Sequence, residues 1–241
     1  MSMASHYVYQ FYSYLKGYEP KIWRRFRVPG NITMAQLGYA LMTMYEMKGN
    51  HLFRLIVPVH KNTGQTQTLS GVDMLSLDEF WQFEIGNKEL FLDERTKAFD
   101  ASTYQLSSVL QGNKGEKLSM EYDYGDDWEV EIMLENVIDD VELPNRELSH
   151  VLTGEGFGIV EDCGGVAGLK KIAKAFQLRS GNEYEYYRKR LGEDEFDTTR
   201  FDLNDINLRL KHVPQIFEEI YERGNAPSQE SLDFLEREYL K

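Results

Sequence analysis

One short stretch of the chain, residues 118–134, concentrates carboxylates around a turn. Its candidate binding residues are Asp123, Asp126, Asp127 and Glu129. Clustered carboxylate oxygens are the ligands that Mg²⁺, Mn²⁺ and Ca²⁺ prefer in proteins, and His51 is a candidate nitrogen ligand from outside the stretch. A cation held there would activate water for phosphoester hydrolysis. A divalent-cation site is therefore one hypothesis for this stretch.

The same aspartates have a plainer explanation as turn residues. An aspartate in a turn accepts hydrogen bonds from nearby backbone N–H groups through its carboxylate. In that case basic side chains neutralise the acidic strand face beside the turn, and the candidates are Arg24, Arg25 and Arg27. We favour this explanation, because turn aspartate is common and no spacing in the chain matches a catalytic metal motif such as H-E-x-x-H.

Strict alternation surrounds these carboxylates. Even-numbered positions are apolar or aromatic over residues 118–124 and again over residues 128–134. This is the period-two pattern of strands with one buried face, so we predict a β-hairpin. A three-residue loop, Gly125–Asp127, pairs Tyr124 with Trp128 and keeps one face wholly apolar.

The other face of that hairpin is acidic. The predicted register sets Asp123 opposite Glu129. It also sets Glu121 opposite Glu131. Like charges directly opposed on a sheet are destabilising, so we expect either basic side chains or a bound cation close to them.

A second candidate is the glycine-rich segment at residues 154–165, GEGFGIVEDCGG, whose backbone N–H groups could cradle a ligand. Its candidate residues are Glu155, Glu161, Asp162, Gly164 and Gly165. Glu161 and Asp162 could also contribute to the acidic site. We favour a structural loop whose glycines serve tight turns, because the segment lacks the G-K-[ST] of a phosphate-binding loop.

The third candidate is the basic stripe of Arg24, Arg25 and Arg27, which is interleaved with Trp23. Arginines beside an aromatic ring can meet phosphates and stack on a base. Residues 1–60 hold seven Lys or Arg and two Glu, so they carry +5 of the total of −13 and leave −18 for the remainder. We therefore favour pairing of this stripe with the acidic hairpin over nucleic-acid binding.

Composition sets the class of protein. The 241 residues suit one large domain or a domain with an appended part. Charged residues make up 28% of the chain. The chain contains no run of about 18 apolar residues, so we predict no transmembrane helix. Cys163 is the single cysteine, which excludes an internal disulfide. We expect a cytoplasmic protein with no membrane partner.

Along the sequence, β-rich segments come first and helical patterns come last. This order predicts an α+β fold, with a mostly antiparallel, aromatic-rich sheet packed against helices. The predicted strands outside the hairpin are residues 7–16, 21–28, 51–59 and 89–95. The predicted helices are residues 34–44, 102–110, 168–178, 183–191 and 202–211, then two more that begin near Pro214 and Ser228. Residues 139–165 are predicted to be a loop-rich crossing. We divide the chain into a domain at 1–211, with an insertion at 60–88, and a helical extension at 212–241.

Several strings together resemble the plasmid Ri ORF-3-like family, whose members also travel as passengers on insertion elements. They are PKIWRRFRVP at 20–29, NHLF at 50–53, DER at 93–95, YDYGDDWE at 122–129, GEG at 154–156, EDCGG at 161–165 and FDLNDIN at 201–207. The resemblance spans about residues 7–210 and implies an α+β fold in a bacterial or archaeal type of protein. It implies no activity. The long segment at 60–88 and the helices after residue 211 depart from the family pattern.

Two functional hypotheses follow. The first is a non-catalytic binding or adaptor protein that engages another protein or a small ligand through the acidic face and the glycine-rich loop. The second is a divalent-metal-dependent hydrolase or nuclease acting at Asp126 and Asp127. Direct DNA binding would require the arginine stripe to be exposed to solvent.

Overall fold

A computed structural model describes residues 7–59, 79–86, 95–139 and 149–237. Its strands are β1 (Tyr7–Leu15), β2 (Trp23–Pro29), β3 (Phe53–Val59), β4 (Glu79–Glu84), β5 (Thr96–Asp100), β6 (Lys117–Tyr122), β7 (Trp128–Asp139) and β8 (His150–Glu155). Its helices are α1 (Met34–Met44), α2 (Leu106–Val109), α3 (Gly165–Leu178), α4 (Asn182–Leu191), α5 (Leu203–Arg209), α6 (Val213–Tyr221) and α7 (Gln229–Glu236).

The strands form one sheet in the order β5-β4-β3-β6-β7-β1-β2-β8. Among the described strands, only the β4–β5 pair is parallel, so the predicted α+β fold with a mostly antiparallel sheet is confirmed. Alternate strand residues such as Phe11, Phe26 and Trp128 are fully buried, and α1 is buried along most of its length. The described helices include none with the length and apolar character needed to cross a bilayer.

Local capping explains where several helices begin. Thr33 and Gln36 form a capping box at α1, in which each side-chain oxygen accepts a hydrogen bond from the other residue's backbone N–H. This confirms the predicted helix start at Thr33. Asp202 caps α5 through the N–H of Asp205, and Ser228 caps α7 through the N–H of Ser231. These helix starts therefore follow from the sequence.

The register of the central hairpin differs from the prediction. Tyr122, not Tyr124, pairs with Trp128, so the loop has five residues, Asp123–Asp127. The reason is local: Asp123 and Asp127 adopt positive φ angles of 54° and 55°, and the N–H of Asp127 donates to the carbonyl of Asp123 at 2.7 Å. A shift of two residues preserves the side-chain alternation, so the apolar face survives the error.

The like-charge contact on the outer face is therefore Glu121 opposite Glu129, and Asp123 belongs to the loop. Each glutamate is paired with its own basic side chain. Arg54 Nε donates to Glu121 at 2.6 Å, and Lys16 Nζ contacts Glu129 at 2.8 Å. Basic side chains in or next to neighbouring strands thus neutralise the acidic strand face.

The three arginines of the basic stripe do not act together. Arg25 pairs with Glu135 at 2.7 Å, and this hydrogen bond lowers the pKa of the glutamate. Arg27 donates to Gln10, whereas Arg24 is fully buried on the opposite face of β2. Arg25 therefore neutralises a carboxylate farther along β7, whereas Arg54 and Lys16 neutralise the predicted hairpin carboxylates. The prediction is wrong for Arg24.

Arg24 binds backbone oxygens instead of carboxylates. It donates to the carbonyls of Trp23, Met44, Glu155, Gly156 and Phe157, at 2.7–3.1 Å. Burial lowers the pKa of its guanidinium, while the rings of Tyr45 and Phe201 lie 5.2 and 4.9 Å from its Cζ. The side chain ties the glycine-rich loop to β2 and to the end of α1.

Other element predictions need correction or fall outside the described residues. The predicted crossing at 139–165 contains the strand β8, and the predicted helix at 102–110 is reduced to α2. In the predicted insertion at 60–88, residues 79–84 form β4, whereas 60–78 and 87–88 lie outside the described residues. Most of the strand predicted at 89–95 lies outside them as well.

The helices after residue 211 dock on the sheet-and-helix core. Val213 and Phe217 of α6 are fully buried and belong to the main hydrophobic core. Gly49 lies so close to Phe217 that a Cβ there would come within 2.7 Å of its ring, which explains why the segment after α1 carries a glycine at a φ of 79°. The predicted helical extension is therefore packed against the segment that leads into β3.

Candidate metal centre

Four side chains converge at one end of the sheet, and we call them the His51 cluster: His51, Asp123, Glu161 and Asp162. Nε2 of His51 lies 3.5 Å from Oδ2 of Asp123 and 3.5 Å from Oε2 of Glu161. It lies 3.3 Å from Oδ1 of Asp162. His51, Asp123 and Glu161 each place a ligand atom within 4.8 Å of the other two, which is the spacing of a metal centre.

Strand pairing brings the first two members together. His51 comes two residues before β3, and Asp123 directly follows β6. Because β3 and β6 are antiparallel, with Phe53 opposite Tyr122, the start of one strand meets the end of the other. The N–H of Asp123 also donates to the carbonyl of Leu52 at 3.0 Å, so a backbone hydrogen bond fixes the spacing of the two ligands.

In this loop conformation, the two carboxylate oxygens of Asp123 contact different groups. Oδ1 accepts the N–H of Gly125 at 3.0 Å in an Asx turn, which leaves Oδ2 to face the imidazole. Aspartate tolerates the left-handed backbone conformation that this turn requires. The side chain is only 10% exposed, so its orientation is held by its surroundings.

Glu161 shows the same division. Its Oε1 accepts the hydroxyl of Tyr122 and the N–H of Lys48, both at 2.7 Å, and its Oε2 faces His51. Burial raises the pKa of Tyr122, and the nearby Glu161 carboxylate raises it further, so the hydroxyl remains a donor. The carboxylate is therefore oriented by two donors on one side.

Two atoms of the cluster are buried without a hydrogen-bond partner among the described residues: Nε2 of His51 and Oε2 of Glu161. Buried polar atoms are nearly always satisfied, and leaving one unsatisfied costs about 1–3 kcal/mol. These two face each other across 3.5 Å. Ligand atoms bonded at about 2.1 Å to a tetrahedral ion lie about 3.4 Å apart, so the spacing suits a shared cation.

Asp162 marks the open side of the cluster. Its side chain is 68% exposed, compared with 27% for His51 and 9% for Glu161. Nη2 of Arg190 holds this corner of the chain by donating to the carbonyls of Glu161 and Asp162, at 3.1 and 2.5 Å. An ion in the cluster would be reached from solvent past Asp162.

The cluster draws on two of the three sequence candidates. His51 and Asp123 come from the predicted hairpin site, whereas Glu161 and Asp162 come from the glycine-rich segment. Asp126, Asp127 and Glu129 are not among the residues that converge. Among the described residues, the group that could hold an ion therefore lies at the base of the hairpin loop, and an ion at the hairpin tip stays a prediction.

The remaining candidates have structural contacts. Oδ2 of Asp126 accepts the N–H of Gly164 at 3.0 Å, a backbone group of the glycine-rich segment and not of its own turn. Gly165 lies against the same residue, because a Cβ there would come within 2.2 Å of the Asp126 carbonyl oxygen. Glu155 accepts Nε1 of Trp23 at 3.1 Å and is exposed. Gly165 therefore allows the glycine-rich loop and the hairpin loop to approach closely.

A cavity of about 600 Å³ adjoins the cluster through Glu161. Its walls combine aromatic side chains such as Phe157 and Phe196 with charged ones such as Arg190 and Arg237. Cavities of this size and mixed lining commonly hold small molecules. The cavity places space for a ligand beside the candidate centre.

Comparison with known proteins gives a family and a structural neighbour. The family model described as plasmid pRiA4b ORF-3-like protein matches residues 7–205. The chain is similar to a solved structure of MM3350, a protein of unknown function from Methanosarcina mazei Go1, with a TM-score of 0.64 and 26% sequence identity. That similarity covers 83% of this chain and 96% of the other. No curated protein matches the chain. All four residues of the His51 cluster lie inside the family match, whereas α6 and α7 lie beyond it.

Proposed function

The chain belongs to the plasmid pRiA4b ORF-3-like protein family, and we propose that it is a divalent-cation-binding protein whose ion is held by the His51 cluster. The observation that carries the proposal is the pair of buried, unpartnered atoms, Nε2 of His51 and Oε2 of Glu161, facing each other at 3.5 Å. A cation between them would satisfy both atoms at once.

The donor set indicates which ions suit the centre. An imidazole nitrogen favours zinc, iron or nickel, and carboxylate oxygens favour magnesium, calcium or manganese. A mixed set of one nitrogen and up to three carboxylates therefore fits Mn²⁺ or Zn²⁺ better than Mg²⁺ or Ca²⁺. A divalent charge would also offset the repulsion among carboxylates brought this close together.

The primary role we propose for the ion is to join separate segments of the chain in a non-catalytic binding protein. The start of β3, the end of β6 and the loop before α3 each contribute a ligand. An ion shared by three segments would fix the glycine-rich loop against the sheet. This supports the hypothesis of a binding or adaptor protein that presents an ordered surface to a protein or small ligand.

One observation favours a second candidate function, a metal-dependent hydrolase. The cluster is open past Asp162, and the cavity of about 600 Å³ adjoins it through Glu161. A bound cation could therefore be reached by water and by a substrate, which is the arrangement that metal-assisted hydrolysis needs. His51, Asp123 and Glu161 would hold the ion in that reaction.

The test is metal content together with thermal melting in Mn²⁺, Zn²⁺, Mg²⁺ and Ca²⁺. A cation at a concentration a hundred times its dissociation constant should raise the free energy of unfolding of the wild-type protein by about 2.7 kcal/mol. Glu161→Gln should lose this stabilisation. Asp126→Asn is the matched control, because it removes a charge from the neighbouring loop residue that lies outside the cluster, and it should keep the response.

Two results would contradict the proposal. One is a wild-type melting temperature that no cation shifts. The other is a Glu161→Gln variant that responds to cations as the wild type does. For the hydrolase candidate, the measurement is cleavage of bis-p-nitrophenyl phosphate with the bound cation. Turnover that Glu161→Gln abolishes would favour it, and none in the metal-loaded wild type would reject phosphodiester hydrolysis.

A further inference from the structure

The residues between α1 and β3 lie between the His51 cluster and the C-terminal helices. This connecting segment, Lys48–His51, supplies the histidine ligand at one end. On its other side it packs against α6, where Gly49 lies against the ring of Phe217. Any movement of α6 away from the core would therefore remove the support of the segment that carries His51.

Tyr221 of α6 contacts the histidine directly. Its hydroxyl donates to the carbonyl oxygen of His51. Its ring packs edge-on against Phe53, with ring centres 5.4 Å apart, and stacks on Tyr39 at 5.9 Å. The backbone of the ligand and the first residue of β3 are thus both held by one side chain of α6.

The other buried ligand is connected to α7 through Lys48. The N–H of Lys48 donates to Oε1 of Glu161, while its side-chain Nζ contacts Glu236 at 2.6 Å. The next residue, Arg237, donates to both carboxylate oxygens of Glu46. One short segment therefore links α7 to Glu161 and α6 to His51.

We propose that α6 and α7 form a clasp whose docking is coupled to cation occupancy of the His51 cluster. The proposal rests on the cation site proposed above and names its regulation. With the clasp docked, His51 and Glu161 are held in the binding geometry. With the clasp open, that geometry is lost and the cation is released more readily. Coupling of this kind is reciprocal, so a bound cation must stabilise the docked clasp by the same factor.

The clasp lies outside the segment that the family model matches, whereas the cluster lies inside it. Helix α7 also lines the neighbouring cavity, through Leu235 and Glu236, and so does Arg237 directly after it. A partner or ligand that engages α7 would therefore change the affinity for the cation. The regulated property is release of the ion.

Hydrogen exchange on the full-length protein tests the coupling. Amide exchange in residues 213–221 and 229–236 should slow when the cation that stabilises the wild type is added. The slowing should approach about a hundredfold at a hundred times the dissociation constant. The edge strand β5 contributes no residue to the cluster and serves as the internal reference, so its exchange should change far less.

A matched pair of variants tests the contact that transmits the effect. Tyr221→Phe removes only the hydroxyl that bonds His51, and it should weaken cation binding about twofold to tenfold. Tyr186→Phe removes a hydroxyl from an exposed tyrosine of α4 and should leave the affinity unchanged. Both affinities are measured by titrating the cation into metal-free protein.

The possible outcomes distinguish the clasp proposal from the cation-site proposal on which it rests. If the wild type binds no cation, the proposed site and the clasp both fail. If the wild type binds a cation but Tyr221→Phe binds it equally tightly, the clasp is overturned and the site stands. Equal slowing of exchange in α6, α7 and β5 would also overturn the clasp, because it would show general stabilisation.

Discussion

The hydroxyl of Tyr122 donates to Oε1 of Glu161 at 2.7 Å, although the two residues are 39 positions apart. Tyr122 is the last residue of β6, and the next residue is Asp123. One strand end therefore supplies a candidate ligand and also orients a second one. A ring that is fully buried in the core fixes the position of that strand end.

The first prediction concerns this hydrogen bond. Tyr122→Phe keeps the buried ring and removes the hydroxyl, which leaves Oε1 of Glu161 with the N–H of Lys48 as its remaining described donor. Hydrogen bonds to charged groups contribute about 1.5–3 kcal/mol, so we expect a loss of stability in that range in urea unfolding. Cation binding should weaken about tenfold because the carboxylate is less well oriented.

Tyr45→Phe is the control for that experiment. It also removes a buried hydroxyl, which bonds Ser13 at 2.8 Å, but Tyr45 is not part of the cluster. It should cost about 1 kcal/mol and leave the cation affinity unchanged. If both variants alter cation affinity equally, the Tyr122 hydroxyl has no specific role in orienting Glu161.

The second prediction concerns the buried guanidinium of Arg24. Arg24→Lys replaces a planar group that reaches five carbonyls with an ammonium that has three donors. At least two buried carbonyl oxygens should be left unsatisfied, so we expect a loss of at least about 3 kcal/mol in urea unfolding. Arg27→Lys on the outer face of the same strand should cost less than about 1 kcal/mol. Similar losses in the two variants would contradict this account.

The third prediction concerns the reactivity of Cys163. Burial raises the pKa of its thiol to about 11, and the Asp126 carboxylate contributes to the rise. Only the thiolate reacts with iodoacetamide, so the rate for folded protein should increase about tenfold per pH unit between pH 7 and 10. Asp126→Asn removes a negative charge and should increase the rate at a fixed pH. A rate that levels off below pH 9 would show that the thiol is not suppressed in this way.

The fourth prediction concerns the pH dependence of the Arg25–Glu135 pair. The pKa of Glu135 is lowered by its hydrogen bond to Arg25, so the pair stabilises the fold above the pKa of the unfolded glutamate. That contribution is lost as the pH falls through the lowered pKa. Glu135→Gln should cost less than about 1 kcal/mol at pH 7, because both side chains are partly exposed, and the difference should shrink in acid.

Urea unfolding of wild type and variant at pH 7 and pH 3 measures this difference. Glu195→Gln removes a carboxylate from an exposed pair with Arg179 and should change stability little at either pH. A Glu135→Gln difference that grows as the pH falls would have the wrong sign for a lowered pKa.

Local patterns carry much of the fold. Alternation over residues 118–134 identified the buried side chains of the hairpin except Tyr124, which lies in the loop and is exposed. The caps at Thr33, Asp202 and Ser228 identified where helices begin. The register could not be obtained in the same way. It depends on the left-handed conformation of Asp123 and on its backbone bond to Leu52, which is a contact between distant parts of the chain.

For the candidate metal centre, too, the sequence indicated the residues but not the contacts between distant segments. Residue type made His51, Asp123, Glu161 and Asp162 candidates, since carboxylates and imidazole are common ligands. Their convergence required the pairing of β3 with β6 and the path of the glycine-rich loop, neither of which has a local signal. Tyr221 gave no signal at all, because its partner is 170 positions away.

The backbone bond between Asp123 and Leu52 sets the spacing between the histidine and the first carboxylate through the peptide ladder. The hairpin tip is tied to the centre as well, because Asp126 accepts the N–H of Gly164 and Gly165 packs against the Asp126 carbonyl oxygen. An epitope or affinity tag inserted at the tip should therefore displace the glycine-rich loop that carries Glu161.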